Sequence, residues 1–341
     1  MNFKGINYDI GTITTTGRIT RETFDLTVVR REIEIIKNEL HCNAIRISGF
    51  SIERIVIATE IALTLGLTVW FSPSMPNENQ ENTLEYIVKG SNAAEKLRAT
   101  FSNVVFVLGC ELSLFTSGFV AGNTGEERIK TMFSPFSLLK NTIGVTRTYN
   151  KRLHKFLLKA TDQVKTVFHG HITYAAGTWE KVDWEMFDLI GADFYRSSFN
   201  KKTFLKELQQ YKSLGRPVYI MEFGCCAYKG ADEKGAMGWT IADWEKDSPV
   251  LKGDFTRDEQ VQADYLVELL EIFNSEKVAG AFVFTFIMYN YLYSDNAKND
   301  MDMASFGIVK SMPDKYAGGY KNLPWLPKKA FFEVANFYLN H

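Results

Sequence analysis

Two glutamates that each follow an apolar run are the residues of this sequence best suited to chemistry. Glu111 ends the run 103–111 (NVVFVLGCE), and Glu222 lies near the end of the run 217–224 (PVYIMEFG). Both runs are rich in β-branched and aromatic residues and are bounded by turn-forming residues, which predicts strands buried on both faces. A carboxylate at the end of such a strand is costly unless it is paired or used. Two that face each other could act as an acid/base and a nucleophile, the pair that cleavage of a glycosidic bond requires.

Each glutamate also has a structural interpretation, as a polar strand-end group paired with a lysine or an arginine. For a single strand-end glutamate both interpretations stay open, because structural ion pairs also perturb carboxyl groups. Two acids at matched positions favour the catalytic interpretation. The separation of the carboxyl groups would then decide the stereochemistry, with roughly 5 Å giving retention and roughly 6.5–9.5 Å giving inversion.

Strand-like and helix-like segments alternate along all 341 residues. The predicted strands cover 5–11, 43–49, 67–73, 103–111, 171–177, 187–196, 217–224 and 280–286. Such alternation is typical of a parallel sheet covered by helices. Eight units predict an α/β fold, a single (β/α)₈ TIM barrel over 1–341, with chemistry at the carboxyl ends of the strands. The main competitor is an open doubly wound sheet, but no glycine-rich turn follows the first strand.

Two long loops are predicted at the end of the barrel where the acids lie. One follows strand four over 112–135, and the other follows strand seven over 227–254. Their length and polarity are typical of active-site loops. A long helix is predicted over 136–167, with a break near Gly144.

The composition argues against several classes of function. The chain is 45% hydrophobic with a formal net charge of −1, so nothing favours binding to nucleic acid or to an anionic membrane. No apolar run is long enough to span a membrane, and the first residues lack the apolar region of a signal peptide. Motifs for nucleotides, dinucleotides, a catalytic serine or zinc are missing, so no cofactor is expected. Nothing in the sequence indicates an oligomeric state.

The cysteines and histidines predict neither disulfides nor a metal site. The four cysteines lack disulfide or zinc spacing, which favours reduced thiols in a cytoplasmic protein. They are Cys42, Cys110, Cys225 and Cys226. His169 and His171 lie close to the start of predicted strand five, at the end of the barrel away from the acids. We therefore expect no metal site there.

The placement of the two acids resembles that in clan A glycoside hydrolases, the four/seven superfamily. Those enzymes carry the acid/base at the end of strand four and the nucleophile at the end of strand seven, the predicted places of Glu111 and Glu222. The segments 4–8 (KGINY) and 188–195 (DLIGADFY) are most similar to family 113 β-mannanases and their relatives. The resemblance covers nearly the whole predicted barrel.

The resemblance implies a role for four residues. Glu111 would be the general acid/base and Glu222 the nucleophile. Arg46, inside predicted strand two, would orient the nucleophile, and Tyr195, at the end of predicted strand six, would lie close to it. We expect burial to raise the pKa of Glu111, and Arg46 to favour the ionised form of Glu222. Arg46 could also pair with any acid at the mouth, and Tyr195 could be an ordinary strand-end aromatic.

Two positions depart from the pattern of the superfamily. Cys110 stands directly before the acid, where these enzymes carry an asparagine that hydrogen-bonds the sugar 2-hydroxyl, and a thiol is a poor donor. Strand eight lacks the tryptophan that forms a sugar platform, which leaves Phe284, Phe286 and Tyr289 as candidates. These departures fit an altered substrate or a barrel that has lost activity.

Further residues are candidates for substrate binding. Asp193 lies two residues before Tyr195 and points to the same side, so it could contact sugar hydroxyls or pair with Arg196. Asn7 and Asp9 are two apart on strand one and could reach the mouth or serve as caps. Three tryptophans lie on loops predicted at the carboxyl ends of the strands, where they could stack on sugars or anchor the loops. They are Trp179, Trp239 and Trp244.

We therefore predict a retaining glycoside hydrolase that acts on β-linked sugars by a double displacement at two glutamates. The carbohydrate substrate would be an oligosaccharide or a glycoconjugate, with mannosides as one option. Two alternatives stay open. A barrel that binds carbohydrate without turnover would explain Cys110 and the missing tryptophan. A barrel enzyme of another class, such as a lyase or isomerase, is the second, because this fold hosts many chemistries.

Overall fold

Eight parallel strands close into a barrel with helices on the outside. The computed structural model describes residues 1–14, 17–134, 148–244, 248–313 and 319–341. The barrel strands are β1 (Phe3–Asp9), β2 (Ala44–Gly49), β3 (Thr68–Pro73), β4 (Val104–Cys110), β5 (Ile172–Gly177), β6 (Ile190–Asp193), β7 (Val218–Phe223) and β8 (Gly280–Val283). β8 closes the ring by pairing in parallel with β1 and β7. The prediction of an α/β (β/α)₈ TIM barrel is confirmed.

Helices follow most strands and cover the barrel. In the described part of the chain they are α1 (Leu26–Asn38), α2 (Ile52–Thr64), α3 (Gln80–Phe101), α4 (Leu112–Phe115), α5 (Gly125–Met132), α6 (Thr148–Lys165), α7 (Phe204–Lys212), α8 (Glu259–Ser275) and α9 (Lys329–Asn340). Asp25 and Ser51 begin α1 and α2, where their side chains accept hydrogen bonds from N–H groups of the first turn. None of these helices combines the length and the apolar character that crossing a bilayer would require.

Short elements complete the connections. Two antiparallel ribbons pair Ala242–Asp243 with Val250–Leu251 and Val309–Ser311 with Trp325–Pro327. Single turns of 3₁₀ helix lie at Trp184–Met186, Ala231–Glu233, Met301–Ala304 and Tyr320–Asn322, and a longer one at Gly235–Ile241.

The barrel interior is filled by apolar side chains around Trp70, which is 1% exposed. The Trp70 ring packs edge to face on Phe282, with ring centroids 4.7 Å apart. Arg46 follows the interior residue Ala44 by two positions on β2, and in a strand such residues face the same side. Ser72 follows Trp70 by two positions on β3 in the same way. The inward-facing side chains are therefore apolar towards the amino ends of these strands and polar near their carboxyl ends.

Two strands are shorter than predicted. The segments 187–196 and 280–286 were expected to be strands, but β6 ends at Asp193 and β8 ends at Val283. Beyond β8 the backbone bonds partly to a loop and partly to β1. The Thr285 N–H donates to the Phe306 carbonyl at 3.2 Å, and the Phe286 N–H donates to the Asn7 carbonyl at 3.0 Å.

The connection after β4, predicted as a long loop over 112–135, contains the two short helices α4 and α5. The part of the predicted long helix that lies in 148–165 is α6. The remainder of that prediction, including the break near Gly144, falls in 135–147, outside the described residues. That the chain forms one domain over 1–341 stays a prediction.

Candidate active site

Glu222, near the end of β7, is held through both of its carboxylate oxygens. Arg46 donates from Nη1 to Oε1 at 2.9 Å, and the Tyr195 hydroxyl donates to Oε2 at 3.1 Å. Ser72 fixes the guanidinium in turn, because its Oγ accepts from Arg46 Nε at 3.2 Å. The side chains of Glu222 and Arg46 are 14% and 3% exposed. The carboxylate is therefore oriented by two neighbours and still partly open to solvent.

The Arg46 guanidinium supplies positive charge to this group of acids. Burial disfavours that charge, but the nearby Cys110, Glu222 and Asp193 outweigh burial and raise the pKa of Arg46. The cation therefore stays charged beside Glu222 at every pH at which the protein would work. The sequence-based expectation that Arg46 lies against the nucleophile position agrees with this geometry.

Glu111 follows β4 in a left-handed backbone conformation, with φ 45° and ψ 42°. Its N–H donates to the Ala175 carbonyl at 2.9 Å, and its own carbonyl accepts from the N–H groups of Leu114 and Phe115. β4 therefore passes directly into α4, and Glu111 is the residue at which the chain turns from the strand into the helix. A left-handed conformation costs a non-glycine residue roughly 1–2 kcal/mol, so neighbouring contacts must hold this turn.

Several carboxyl groups lie close enough to Glu111 to affect its protonation. Burial raises the pKa of Glu111 well above its ordinary value, and the negative charges of Asp193, Glu222 and Glu180 raise it further. Burial also raises the pKa of Asp193, and Glu222 adds to this effect. Both carboxyl groups therefore hold their protons to higher pH than exposed carboxyl groups do, and Glu111 is suited to donate one.

Cys110 lies between two of these acids. Its Sγ is 3.5 Å from Asp193 Oδ2 and 3.5 Å from Glu222 Oε1. Burial raises the pKa of Cys110, so the group is a thiol, and its single S–H is a weak donor within reach of either carboxyl group. Asp193 therefore contacts the thiol, and Arg196, its alternative partner, pairs with Glu268 instead.

The same three residues have the spacing of a metal-binding group. Sγ of Cys110 and one carboxylate oxygen each of Asp193 and Glu222 lie within 4.8 Å of one another. The Arg46 guanidinium already occupies one side of Glu222 Oε1, and its charge opposes a cation at that place. Three acidic or sulfur ligands beside a buried guanidinium are therefore a poor fit for a metal ion.

Asn7 and Asp9 serve the backbone. Asn7 is 3% exposed, and its Nδ2 donates to the Met221 carbonyl at 2.9 Å. Asp9 accepts from the Gly11 N–H at 2.8 Å and from Thr12 Oγ1 at 3.2 Å. Asn7 thus braces β1 against β7, and the capping alternative is the one observed for Asp9.

The expectation that Phe286 offers a ring to a sugar is wrong in this structure, while the same expectation for Tyr289 stays a prediction. Phe286 is 0% exposed, and its ring packs edge to face on Trp325. The Tyr289 hydroxyl donates to Glu32, and the Arg21 guanidinium lies 4.4 Å from the centre of its ring. Both residues lie past the end of β8.

Phe284 is the strand-eight candidate with an aromatic contact to the site. It is the first residue after β8, and it is half-buried. Its ring centroid lies 5.7 Å from that of Phe306, which in turn lies 5.9 Å from that of Tyr195. A continuous set of three rings therefore connects Phe284 to the residue that holds Glu222.

The loop tryptophans are anchored to the protein. Trp179 donates from Nε1 to Ser113 Oγ at 3.1 Å, and Trp244 packs edge to face on Tyr291 with centroids 5.0 Å apart. Trp239 is partly buried against the core. These contacts anchor the loops that carry Trp179 and Trp244, and sugar stacking by either ring stays a prediction.

Three residues that the sequence analysis did not single out support the site: Ser72, Tyr174 and Glu180. Ser72 fixes Arg46, while Tyr174 and Glu180 contact the turn that follows Glu111. Glu180 carried a weak signal, since it is an acid three residues beyond a predicted strand. Its partners could not be read from the sequence, because Tyr174 lies within β5 and Ser113 in the connection after β4.

Residues 145–307 match the family described as Glycoside Hydrolase Family 113. A GH113 β-1,4-mannanase has a similar fold, with a TM-score of 0.63, 15% identity and 100% of each chain covered. The GH113 β-mannanase of Alicyclobacillus acidocaldarius gives a TM-score of 0.60 and 14% identity, over 100% of this chain and 98% of that one. A β-glucuronidase from Ruminococcus gnavus gives 0.56 and 12%, over 99% and 49%. No curated protein matches the sequence.

These findings confirm the resemblance to clan A glycoside hydrolases, with family 113 as the family that matches, and they support an enzyme of the glycosidase type. The matched span contains Asp193, Tyr195 and Glu222. Arg46 and Glu111 lie before it, and the barrel brings them to the same place.

Proposed function

We propose that this chain, a glycosidase by its match to family 113, is a retaining enzyme for β-linked sugars. Glu222 is the nucleophile and Glu111 the general acid/base. The proposal is carried by the contrast between the two acids. Glu222 is hydrogen-bonded through both oxygens by Arg46 and Tyr195, whereas burial raises the pKa of Glu111. One carboxylate is oriented beside a cation and the other keeps its proton, as a double displacement requires.

In the first step an oxygen of Glu222 bonds to the anomeric carbon while the bond from that carbon to the glycosidic oxygen breaks. The proton of Glu111 goes to the glycosidic oxygen, and the leaving sugar or alcohol departs. In the second step Glu111, now anionic, takes a proton from water. The water oxygen bonds to the anomeric carbon as the ester bond to Glu222 breaks. The product keeps its configuration, and both acids return to their starting states.

The substrate part of the proposal is a β-mannosidic oligosaccharide or glycoconjugate. It is supported by two GH113 enzymes of similar fold, which are named β-mannanases. All four cysteines are free, which fits the reducing conditions of the cytoplasm. In that compartment short saccharides are more accessible substrates than polymers.

The test is hydrolysis of aryl β-mannosides, β-glucosides, β-galactosides and β-xylosides, together with short oligosaccharides. Glu222→Gln is the inactive control, and proton NMR of the first product formed gives its anomeric configuration. Turnover with retention that is lost in Glu222→Gln supports the proposal. An inverted first product, or full activity in Glu222→Gln, contradicts it.

A second candidate is a barrel that binds carbohydrate without cleaving it. Cys110 favours it, because the thiol 3.5 Å from Asp193 and Glu222 is a weak donor where the resemblance implies an asparagine. Sugars that raise the melting temperature while the whole panel stays uncleaved would favour this candidate.

A further inference from the structure

The turn that carries Glu111 is held by two buried residues of the β5 region, Tyr174 and Glu180. The Tyr174 hydroxyl accepts from the Leu112 N–H at 2.7 Å and donates to Glu180 Oε2 at 2.8 Å. The other oxygen of Glu180, Oε1, accepts from the Ser113 N–H at 2.9 Å. The two N–H groups directly after Glu111 are therefore both bound by this pair.

These N–H groups belong to the first turn of α4, where helical N–H groups have no partner within the helix. Leu112 and Ser113 are buried, so water cannot satisfy them. Glu111 itself is in the left-handed conformation that a non-glycine residue adopts only when its surroundings enforce it. Tyr174, on the neighbouring strand β5, and Glu180, in the loop after it, hold Glu111 in this conformation.

The charge of Glu180 needs an explanation of its own. Glu180 is 7% exposed, and no ion pair with a Lys or Arg is found for it in the described parts of the chain. A buried carboxylate without a cation is costly, and a neutral side chain would serve a purely structural role at lower cost. Burial raises the pKa of Glu180 to about 7, and the hydrogen bonds from Ser113 and Tyr174 oppose that rise. Its charge is also among those that raise the pKa of Glu111.

We propose that Glu180 is a positioning residue for the general acid. Through Tyr174 and Ser113 it fixes the left-handed turn at Glu111, and its negative charge helps Glu111 to keep the proton that it donates. This inference rests on the proposed function, but it concerns a residue and a hydrogen-bond chain that the two-glutamate mechanism does not require.

The test is Glu180→Gln, which keeps the shape of the side chain and one oxygen acceptor but removes the charge. In the pH profile of kcat/KM the basic limb reports the general acid. We expect that limb to move to lower pH by about 0.5–1 unit, as loss of a nearby like charge requires. The matched control is Glu259→Gln, which removes a part-buried carboxylate that pairs with Arg257 and Lys310 elsewhere in the barrel. It is expected to leave the limb in place.

Tyr174→Phe tests the positioning half of the proposal, and it carries the test if Glu180→Gln does not fold. The phenyl ring retains the packing on Phe187, but the hydroxyl between Leu112 and Glu180 is lost. We expect kcat to fall about 10-fold or more with KM nearly unchanged, because a small misplacement of a catalytic group acts on the reaction and not on binding. An unchanged kcat in a folded Tyr174→Phe protein overturns the positioning role.

A carboxyl titration followed by infrared or carbon-13 NMR separates this inference from the proposed function. The Glu111 signal is identified by its loss in Glu111→Gln. Even if the wild-type protein cleaves no glycoside, Glu180→Gln must shift this titration to lower pH. An unshifted titration overturns the electrostatic role, whatever the activity assays give.

Discussion

Arg46 and Glu222 form a 2.9 Å ion pair across the barrel, with one side chain 3% exposed and the other 14%. A buried pair of this kind contributes little net stability, because desolvation of the two charges offsets their attraction. Breaking it is expensive, since one charge then stays buried alone. The main effect of the pair is therefore to orient the Glu222 carboxylate. It holds one oxygen of the Glu222 carboxylate in a fixed place within a crowded acidic cluster.

Replacing Arg46 tests this relationship. We expect Arg46→Gln to lose roughly 3–5 kcal/mol of unfolding free energy, because Glu222 is left among like charges without a cation. Activity should fall by about 100-fold or more, since the nucleophile loses its main orienting contact. Urea unfolding and kcat on the best aryl glycoside measure the two effects. Arg46→Lys keeps the charge and should retain more stability than Arg46→Gln. Equal stability in both variants and the wild type would contradict the account.

The pH dependence of stability follows from the buried acids. Burial raises the pKa of Glu111, and it raises that of Glu180 from 4.5 to about 7. The folded protein then binds these protons more tightly than the unfolded chain. For Glu180 this stabilising effect is complete below pH 4.5 and is lost as the pH rises through 7. Urea unfolding should therefore give a free energy that declines between about pH 5 and pH 8.

The variant Glu180→Gln should show a smaller decline over the same range, because one of the titrating groups is gone. Glu259→Gln is the control, since neighbouring lysines lower the pKa of Glu259 against the effect of burial. Its contribution changes only at acidic pH, so the slope near neutrality should stay as in the wild type. Parallel curves for wild type and Glu180→Gln would show that Glu180 does not titrate as described.

Cys110 is a position at which activity can be gained. An asparagine there would donate a hydrogen bond that the thiol makes poorly, worth about 0.5–1.5 kcal/mol, or roughly a 2–10-fold rise in kcat/KM. The gain should disappear on a 2-deoxy substrate, because the acceptor is then missing. Cys110→Ser is the size-matched control. A gain that persists on the 2-deoxy substrate would argue against contact with the sugar 2-hydroxyl.

The two strand-eight phenylalanines should respond differently to truncation. Phe286→Ala removes a fully buried ring and should cost about 3–5 kcal/mol of stability, with KM little changed where the protein is folded. Phe284→Ala removes a half-buried ring that is connected to Tyr195 through Phe306. It should mainly raise KM. Melting temperature and KM are measured on both variants. A rise in KM for Phe286→Ala with no change in KM for Phe284→Ala would contradict the prediction that Phe284 is the ring that faces the sugar.

Strand ends were the part of the site that the sequence could predict. An apolar run that stops at a polar residue indicates both the strand and the side chain it presents, and this was sufficient for Glu111 and Glu222. Arg46, inside a strand, and Tyr195, two residues beyond the end of β6, were singled out by the resemblance. The roles of these residues stay predictions, but their meeting at one end of the barrel is a property of the fold.

Contacts between distant parts of the chain could not be predicted. Tyr174, on β5, and Glu180, in the loop after it, act on the turn after Glu111 through hydrogen bonds to the connection after β4, and no local pattern encodes such bonds. The error at Phe286 has a related cause. The run remains apolar after β8 ends, because Phe286 packs into the buried core and not at the mouth of the barrel. Apolar character alone does not distinguish a strand from a buried loop.

The most direct test of the account is to trap the intermediate on the nucleophile. The protein is incubated with a 2-deoxy-2-fluoro β-glycosyl fluoride of the sugar that it cleaves best, and the labelled peptide is identified by mass spectrometry. The account predicts one sugar per chain, attached to Glu222, and no labelling of Glu222→Gln. A label on Asp193 or Glu111, or turnover of that sugar with inversion and no label, would contradict the assignment of Glu222.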